Sequence, residues 1–286
     1  MKGFVMVRIF SYVLLISAFF LCGCSSARQL MQEIEKAEKW QGHVEFAPEY
    51  ARDKGPCFVL YGKYPTRLVY KDFIPVDPGK IYTLKASFRT LDPNLPASAY
   101  LGLNLYDENK HIIGHYNVQA CSNTDSEVIS ARKGDKFLTV RMIKNYDKIK
   151  YSAVAFNTKK DFSDLPNYDI SPQCAKMSAD KDGNLRIDLK YPLKKDYKKG
   201  TPVRLHSPWS PSLYFLASGW MPAGDGRDCT AVLHGILNGP GVPHKKFWKG
   251  TKYVRPFVWF GNWNRLPKKG AKLLIDGFSF EESDAE

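Results

Sequence analysis

Two stretches of strict alternation restrict what this chain can fold into. In residues 80–89, Tyr82, Leu84, Ala86 and Phe88 fall on one face, and Thr83, Lys85, Ser87 and Arg89 on the other. In residues 97–107, Ala99, Leu101, Leu103 and Leu105 oppose Tyr100, Gly102, Asn104 and Tyr106. Apolar residues at a period of two predict antiparallel strands with one face in a core and one in water. Residues 57–61, 214–217, 229–235, 253–260 and 272–280 read as further strands, and Asp77-Pro78-Gly79 reads as the turn that launches residues 80–89. The fold class predicted is all-β.

The middle of the chain has a different texture. From Lys133-Gly134-Asp135 onward the charge is dense and the strands are short. Residues 179–184 (Ala-Asp-Lys-Asp-Gly-Asn) read as a hairpin turn between 176–178 and 185–189, and 162–167 as a loop. Residues 129–205 therefore form a small β module of their own. The longer alternating strands before and after it predict one sandwich, 42–128 and 206–286, carrying that module as an insert. Ahead of the sandwich, Leu30, Ile34 and Ala37 stand at helical spacing among Glu33, Glu35, Lys36 and Lys39, which predicts one short helix over 29–40.

The N-terminus is a targeting segment. Lys2 and Arg8 lead into an apolar run over 9–21, too short to span a bilayer comfortably, which reads as a signal peptide over 1–23. Leu21-Cys22-Gly23-Cys24 resembles the bacterial lipobox, which implies cleavage before Cys24 and acylation of Cys24. Residues 24–41 then form a lipid-anchored helix and linker, and several acyl chains on one residue give a stable membrane anchor. Ser25, where an Asp tends to retain lipoproteins at the inner membrane, favours the outer membrane. Removing 23 of the 286 residues leaves 263, and losing Lys2 and Arg8 takes the charge from +13 to +11. That charge favours acidic partners. Export and the lack of any nucleic-acid motif argue against DNA or RNA. Of the six cysteines, Cys57, Cys121, Cys174 and Cys229 remain after processing. Oxidation would allow three pairings, and buried free thiols are the other reading.

Several segments in order resemble the β-jelly-roll, galactose-binding-like carbohydrate-binding modules. They are Pro78-Gly79-Lys80-Ile81-Tyr82-Thr83-Leu84, the run from Ala99 to Asp107, and Leu274-Ile275-Asp276-Gly277-Phe278-Ser279-Phe280. The run from Phe247 to Pro256 looks like the penultimate-strand segment of versions found on exported polysaccharide-degrading proteins. In the middle, Gly134-Asp135, Val140, Pro192-Leu193, Tyr197, Gly200-Thr201 and Val203 look like a small barrel-like β module. The resemblance implies a jelly roll with an inserted module and a non-catalytic, polysaccharide-binding role. Gly277 stands where the family often has a second Asp that helps hold a structural Ca²⁺, so no cofactor is expected beyond a possible calcium ion.

The candidate sugar site follows from the chemistry of sugars, whose C–H faces suit aromatic rings and whose hydroxyls suit amides and charges. Tyr100, Asn104 and Tyr106 lie on a wet face, read as beside Lys85 and Arg89. Tyr253, Arg255 and Trp259 alternate with Val254, Val258 and Phe260, and Trp263 sits between Asn262 and Asn264 in a loop. Trp220 and Trp248 read as packing residues. His111 and His115 lack the glutamate of a zinc-protease motif, and Asp180-x-Asp182-Gly183 lacks the closing Glu of a calcium loop. No nucleophile elbow, P-loop or dinucleotide fingerprint is present, so no catalytic residue is assigned. The expected partners are a polysaccharide, an acidic one being favoured by the charge, and the membrane through the anchor. The competing reading is an envelope assembly protein that makes protein contacts, and a minor one is an accessory part of a polysaccharide lyase or glycoside hydrolase.

Overall fold

A computed structural model describes residues 27–31, 36–52, 57–62, 66–92, 97–207, 213–217, 220–221, 226–239, 245–261 and 269–285. Residues 1–23, Cys24 and Trp263 lie outside the described residues. The fold is all-β, with three open antiparallel sheets, a two-stranded parallel sheet of Ile236–Leu237 and Phe247–Trp248, and one α-helix of four residues, His115–Val118, among the described residues.

The first sheet runs in the order Arg227–Leu233, Ile81–Thr90, Lys272–Ser283, Cys57–Tyr61 and Glu45–Phe46, with Arg28–Gln29 added beside Lys272–Ser283. The second runs Leu213–Ala217, Ala97–Tyr106, Tyr253–Phe260, Thr66–Tyr70 and Trp40–Gln41, with the two-residue strands Trp220–Met221 and Ile74–Pro75 paired alongside. Their inward residues form a single cluster. Tyr82, Leu84, Phe88, Leu273 and Ile275 of the first sheet meet Leu101, Leu103, Leu105, Val254, Val258 and Phe260 of the second. Each such side chain contributes about 1.5–3 kcal/mol by leaving water. The alternation over 80–89 therefore appears in space as a strand buried at every second residue.

Turn chemistry sets the strand ends. Asp77 Oδ1 accepts the Gly79 amide at 2.9 Å, and the Tyr82 hydroxyl accepts the Asp77 amide at 2.7 Å. Asp107 ends Ala97–Tyr106 by accepting the amides of Asn109 and His111 at 2.9 and 2.8 Å. Gly277 adopts φ +55°, inside the register shift between Asp276 and Ser279. A left-handed residue is what lets the longest strand bulge there and still pair along its whole length.

The helix expected over 29–40 does not form in the described part of that segment. Arg28–Gln29 is a strand on Lys272–Ser283, and the Leu30 amide bonds to the Phe280 carbonyl at 2.8 Å. Ala37–Lys39 is one 3₁₀ turn, and Trp40 begins a short strand. The cause is tertiary. Trp40 fills a gap in the core, edge-on to Phe58, Tyr70 and Phe278 at 5.7, 5.4 and 5.1 Å, and Met31 is buried in the same cluster.

The third sheet is drawn wholly from residues 126–206. Its order is Ala153–Phe156, Pro202–His206, Ser126–Ser130, Phe137–Val140, Leu185–Leu189 and Cys174–Ala179. It has its own cluster, including Val128, Leu138, Val140, Phe156, Leu185, Ile187 and Leu205. The chain enters and leaves side by side, with the Cys121 amide on the Leu205 carbonyl at 2.8 Å and the Ser207 amide on the Gln119 carbonyl at 3.0 Å. The expected turn at 179–184 is present, with Asp180 Oδ1 accepting the amides of Asp182 and Asn184 at 2.9 and 2.8 Å.

A buried polar cluster lies at this junction. Arg204, with a 1% exposed side chain, donates from Nη2 to Asp164 Oδ2 at 2.9 Å. Its Nε donates to His206 Nε2 at 3.3 Å, and His206 Nδ1 donates to the Tyr116 carbonyl at 2.6 Å. Lys249 Nζ donates to the Phe162 carbonyl at 3.1 Å, tying the 159–167 loop to the sandwich. Gly250, at φ +82°, presses against this loop, and a Cβ there would stand 2.7 Å from Pro166 Cδ. Gly250→Ala is therefore expected to destabilise the protein by about 1–3 kcal/mol through a left-handed alanine and a forced overlap. A urea titration beside the parent measures it.

Cys57, Cys121, Cys174 and Cys229 are free thiols. Burial pushes the Cys57 thiol up to about 12, with the Asp276 carboxylate adding to it, and burial pushes Cys121 and Cys174 to about 11.

Candidate functional site

The outer face of the second sheet is a ladder of four rungs set by strand register. Tyr100, Trp259 and Arg67 form the first, and Gly102, Phe257 and Val69 the second. Asn104 and Arg255 form the third; Tyr106, Tyr253 and Pro75 form the fourth. Val254, Pro256, Val258 and Phe260 turn inward, so the alternation reads correctly along Tyr253–Phe260.

The two ends of the ladder differ. At the fourth rung, Phe73 lies edge-on over Tyr106 at 4.9 Å and reaches Tyr253 at 6.2 Å. Lys110 Nζ and Arg255 Cζ stand over the Phe73 ring at 5.1 and 5.4 Å. Arg255 Nε also donates to the Tyr70 carbonyl at 2.7 Å. This end is closed by its own aromatic and cationic groups. Phe257 is fully buried although it points away from the main core, in a small cluster with Val69 against which Trp259 packs.

The first rung carries two half-buried rings and an exposed arginine. The Tyr100 and Trp259 rings are half-buried, 6.1 Å apart and tilted by 47°. Arg67 is exposed, its guanidinium 5.0 Å from the Phe257 ring and 5.9 Å from the Trp259 ring. Two tilted rings with a stacked guanidinium offer a surface for a sugar face and a donor fork for a carboxylate.

The sequence expectations are corrected at four residues. Asn104 and Tyr106 are buried, at 5% and 8% exposure, because Phe73 and the neighbouring strands cover them. Asn104 Oδ1 has no hydrogen-bond partner among the described residues. Lys85 and Arg89 are not beside Tyr100 at all. Ile81–Thr90 belongs to the first sheet and Ala97–Tyr106 to the second, so their polar faces point away from each other across the core. Lys85 Nζ instead meets Glu281 Oε2 at 3.1 Å, and Arg89 Nε meets Asp276 Oδ2 at 3.2 Å. Tyr253, Arg255, Tyr100 and Trp259 do share one face. Trp248 is buried in the core. Sequence reading missed Arg67, whose strand Thr66–Tyr70 is short, though Leu68 and Tyr70 alternate with Arg67 and Val69 in it.

At the position linked to calcium, buried Asp276 places Oδ2 3.2 Å from the Arg89 guanidinium, its Oδ1 has no hydrogen-bond partner among the described residues, and Gly277 brings no second donor. Among the described residues no three His, Cys, Asp or Glu side chains converge as metal ligands. The chain matches no protein-family description, and a search of curated proteins finds no relative.

Proposed function

We propose that the protein is a non-catalytic cell-envelope lipoprotein, anchored through Cys24 and favouring the outer membrane, that binds an acidic polysaccharide. In this reading the two facing sheets are a jelly roll and residues 126–206 are a module inserted into it. The paired entry and exit segments, 119–121 against 205–207, support the insertion. The sugar site is the rung Tyr100–Trp259–Arg67, with Tyr253 and Arg255 further along the same face. The observation that carries the proposal is that rung: two half-buried aromatic rings beside an exposed arginine, on a paired strand register.

Affinity electrophoresis tests it, with neutral, uronate-rich and sulphated polysaccharides cast into separate gels. The chain from residue 27 is run beside Trp259→Ala and Arg67→Ala. Retardation by a uronate-rich or sulphated gel is expected for the parent. Trp259→Ala should weaken it about two- to tenfold, by analogy with the ~0.5–1.5 kcal/mol that an aromatic pair contributes. Arg67→Ala should weaken binding to acidic polymers only. Equal mobility of the folded parent in every gel would remove the proposal and leave the envelope-assembly reading in its place.

A further inference from the structure

Residues 126–206 hold 18 Lys and Arg against ten Asp and Glu, a net +8 of the chain's +13. Three of those lysines line one depression. Between the 146–152 segment and the start of Cys174–Ala179 lies a cavity of about 560 Å³, within the span of small-ligand sites. It is floored by Ser152 and Cys174 and rimmed by Tyr151, Lys150, Lys176 and Lys190. The three lysines are exposed, and none forms an ion pair or side-chain hydrogen bond among the described residues. Asp147 is the one acid on the rim.

The backbone beneath is fixed. The Cys174 amide bonds to the Ser152 carbonyl at 2.7 Å and the Lys190 amide to the Gln173 carbonyl at 2.9 Å. Tyr151 sits at φ +55°, a conformation side chains avoid, and the Tyr116 hydroxyl donates to its carbonyl at 2.8 Å. Tyr151 is 64% exposed. A strained residue that presents an uncovered aromatic beside a binding depression suits a ligand clamp. On the floor, Ser152 Oγ is fully buried with no oxygen or nitrogen partner; its polar neighbour is the Cys174 thiol.

We propose that this cavity is a second polysaccharide subsite, which takes one uronate unit. The carboxylate sits among Lys150, Lys176 and Lys190, and the sugar's C–H face lies on Tyr151. A concave depression with one aromatic wall suits a sugar ring better than a lipid surface, which would want a flat or convex basic face. The inference rests on the polysaccharide reading above, but its residues are separate from Trp259 and Arg67.

The test is calorimetric titration of the full-length protein in detergent micelles with tetragalacturonate, tetramannuronate and their methyl esters. Lys176→Ala/Lys190→Ala is run beside Trp259→Ala, and sedimentation with anionic phosphatidylglycerol vesicles forms a second arm. The double variant is expected to weaken at least one free-acid oligomer tenfold or more and to leave the esters unchanged. Tyr151→Ala is expected to weaken acid and ester alike. The subsite is overturned if the double variant binds the acids as the parent does while Trp259→Ala does not, and the polysaccharide reading then survives alone. It is also overturned if the double variant loses only vesicle binding, which would assign the lysines to the membrane. If the parent binds no oligomer, subsite and polysaccharide reading fall together.

Discussion

Acidification from pH 6.5 to 5 is expected to lower the unfolding free energy by about 2 kcal/mol, largely through His206. His206 is fully buried, and burial pushes its pKa down to about 4, with the Arg204 charge acting in the same direction. The hydrogen bond to the Tyr116 carbonyl and the Asp164 charge oppose this without prevailing. In the unfolded chain the imidazole takes a proton near its ordinary 6.5, whereas in the folded chain it stays neutral until about 4. Between those values the unfolded state binds more protons, so stability rises with pH. It is lost on descent at about 1.4 kcal/mol per unit for one such group. His115, whose pKa burial also lowers, adds in the same direction. Carboxylates held below their ordinary range act lower down. Glu282 is lowered by its hydrogen bond from Lys80, against burial. Asp107 is lowered by its Tyr168 and backbone hydrogen bonds, although burial, its largest single influence, pushes upward. Both begin to matter only below about 4.5. Urea titrations at pH 6.5, 5.75 and 5.0 isolate the histidines. His206→Gln, which cannot take the proton, should flatten most of the slope. A parent curve with no slope in this window would mean that His206 is charged or wet in the folded protein.

Much of the sandwich is legible in the sequence because strand alternation is a local signal. Ile81–Thr90, Ala97–Tyr106 and Tyr253–Phe260 are recovered almost residue for residue, and so is the inward face of each. What alternation cannot carry is which sheet a strand joins. Lys85 and Tyr100 both stand on polar faces of consecutive strands, and only the crossover between sheets puts them on opposite surfaces. Nor does it show what lies on top. Asn104 and Tyr106 have the pattern of exposed residues, but Phe73, from a segment with no period of its own, covers that end. The 29–40 segment shows the converse failure. Leu30, Ile34 and Ala37 have helical spacing, but the free edge of Lys272–Ser283 and the aromatic gap that takes Trp40 outweigh a weak helical preference. The Arg204–Asp164 pair spans 40 residues and leaves no local mark.

That pair should be the most sensitive polar contact at the junction. Asp164→Ala is expected to destabilise the protein by about 3–5 kcal/mol, because it leaves a buried guanidinium without its counter-charge. The carboxylate also holds the loop together. Asp164 Oδ1 accepts the Lys159 amide at 3.0 Å, and Oδ2 accepts Asn167 Nδ2 at 3.1 Å. Asn167 in turn exchanges hydrogen bonds with Asn117, its amide on the Asn117 carbonyl at 2.7 Å and Asn117 Nδ2 on its carbonyl at 3.0 Å. Loss of the acid therefore loosens the loop against the sandwich as well as stranding a charge. Asp125 stands 3.9 Å from Arg204 Nη1 but is half exposed, so it cannot replace the dry partner. The pair itself is a different matter. A buried ion pair gains little over apolar groups of the same shape, since both charges must leave water. Asp164→Leu/Arg204→Met is therefore expected to recover part of what Asp164→Ala loses. Chemical unfolding of the parent, each single variant and the double variant gives the coupling directly. A cost below about 1 kcal/mol for Asp164→Ala would mean that water reaches Arg204 in the folded protein. A large single cost with partial recovery in the double variant would show that the junction is held by matched burial, in which Arg204 is tolerated only because Asp164 is there.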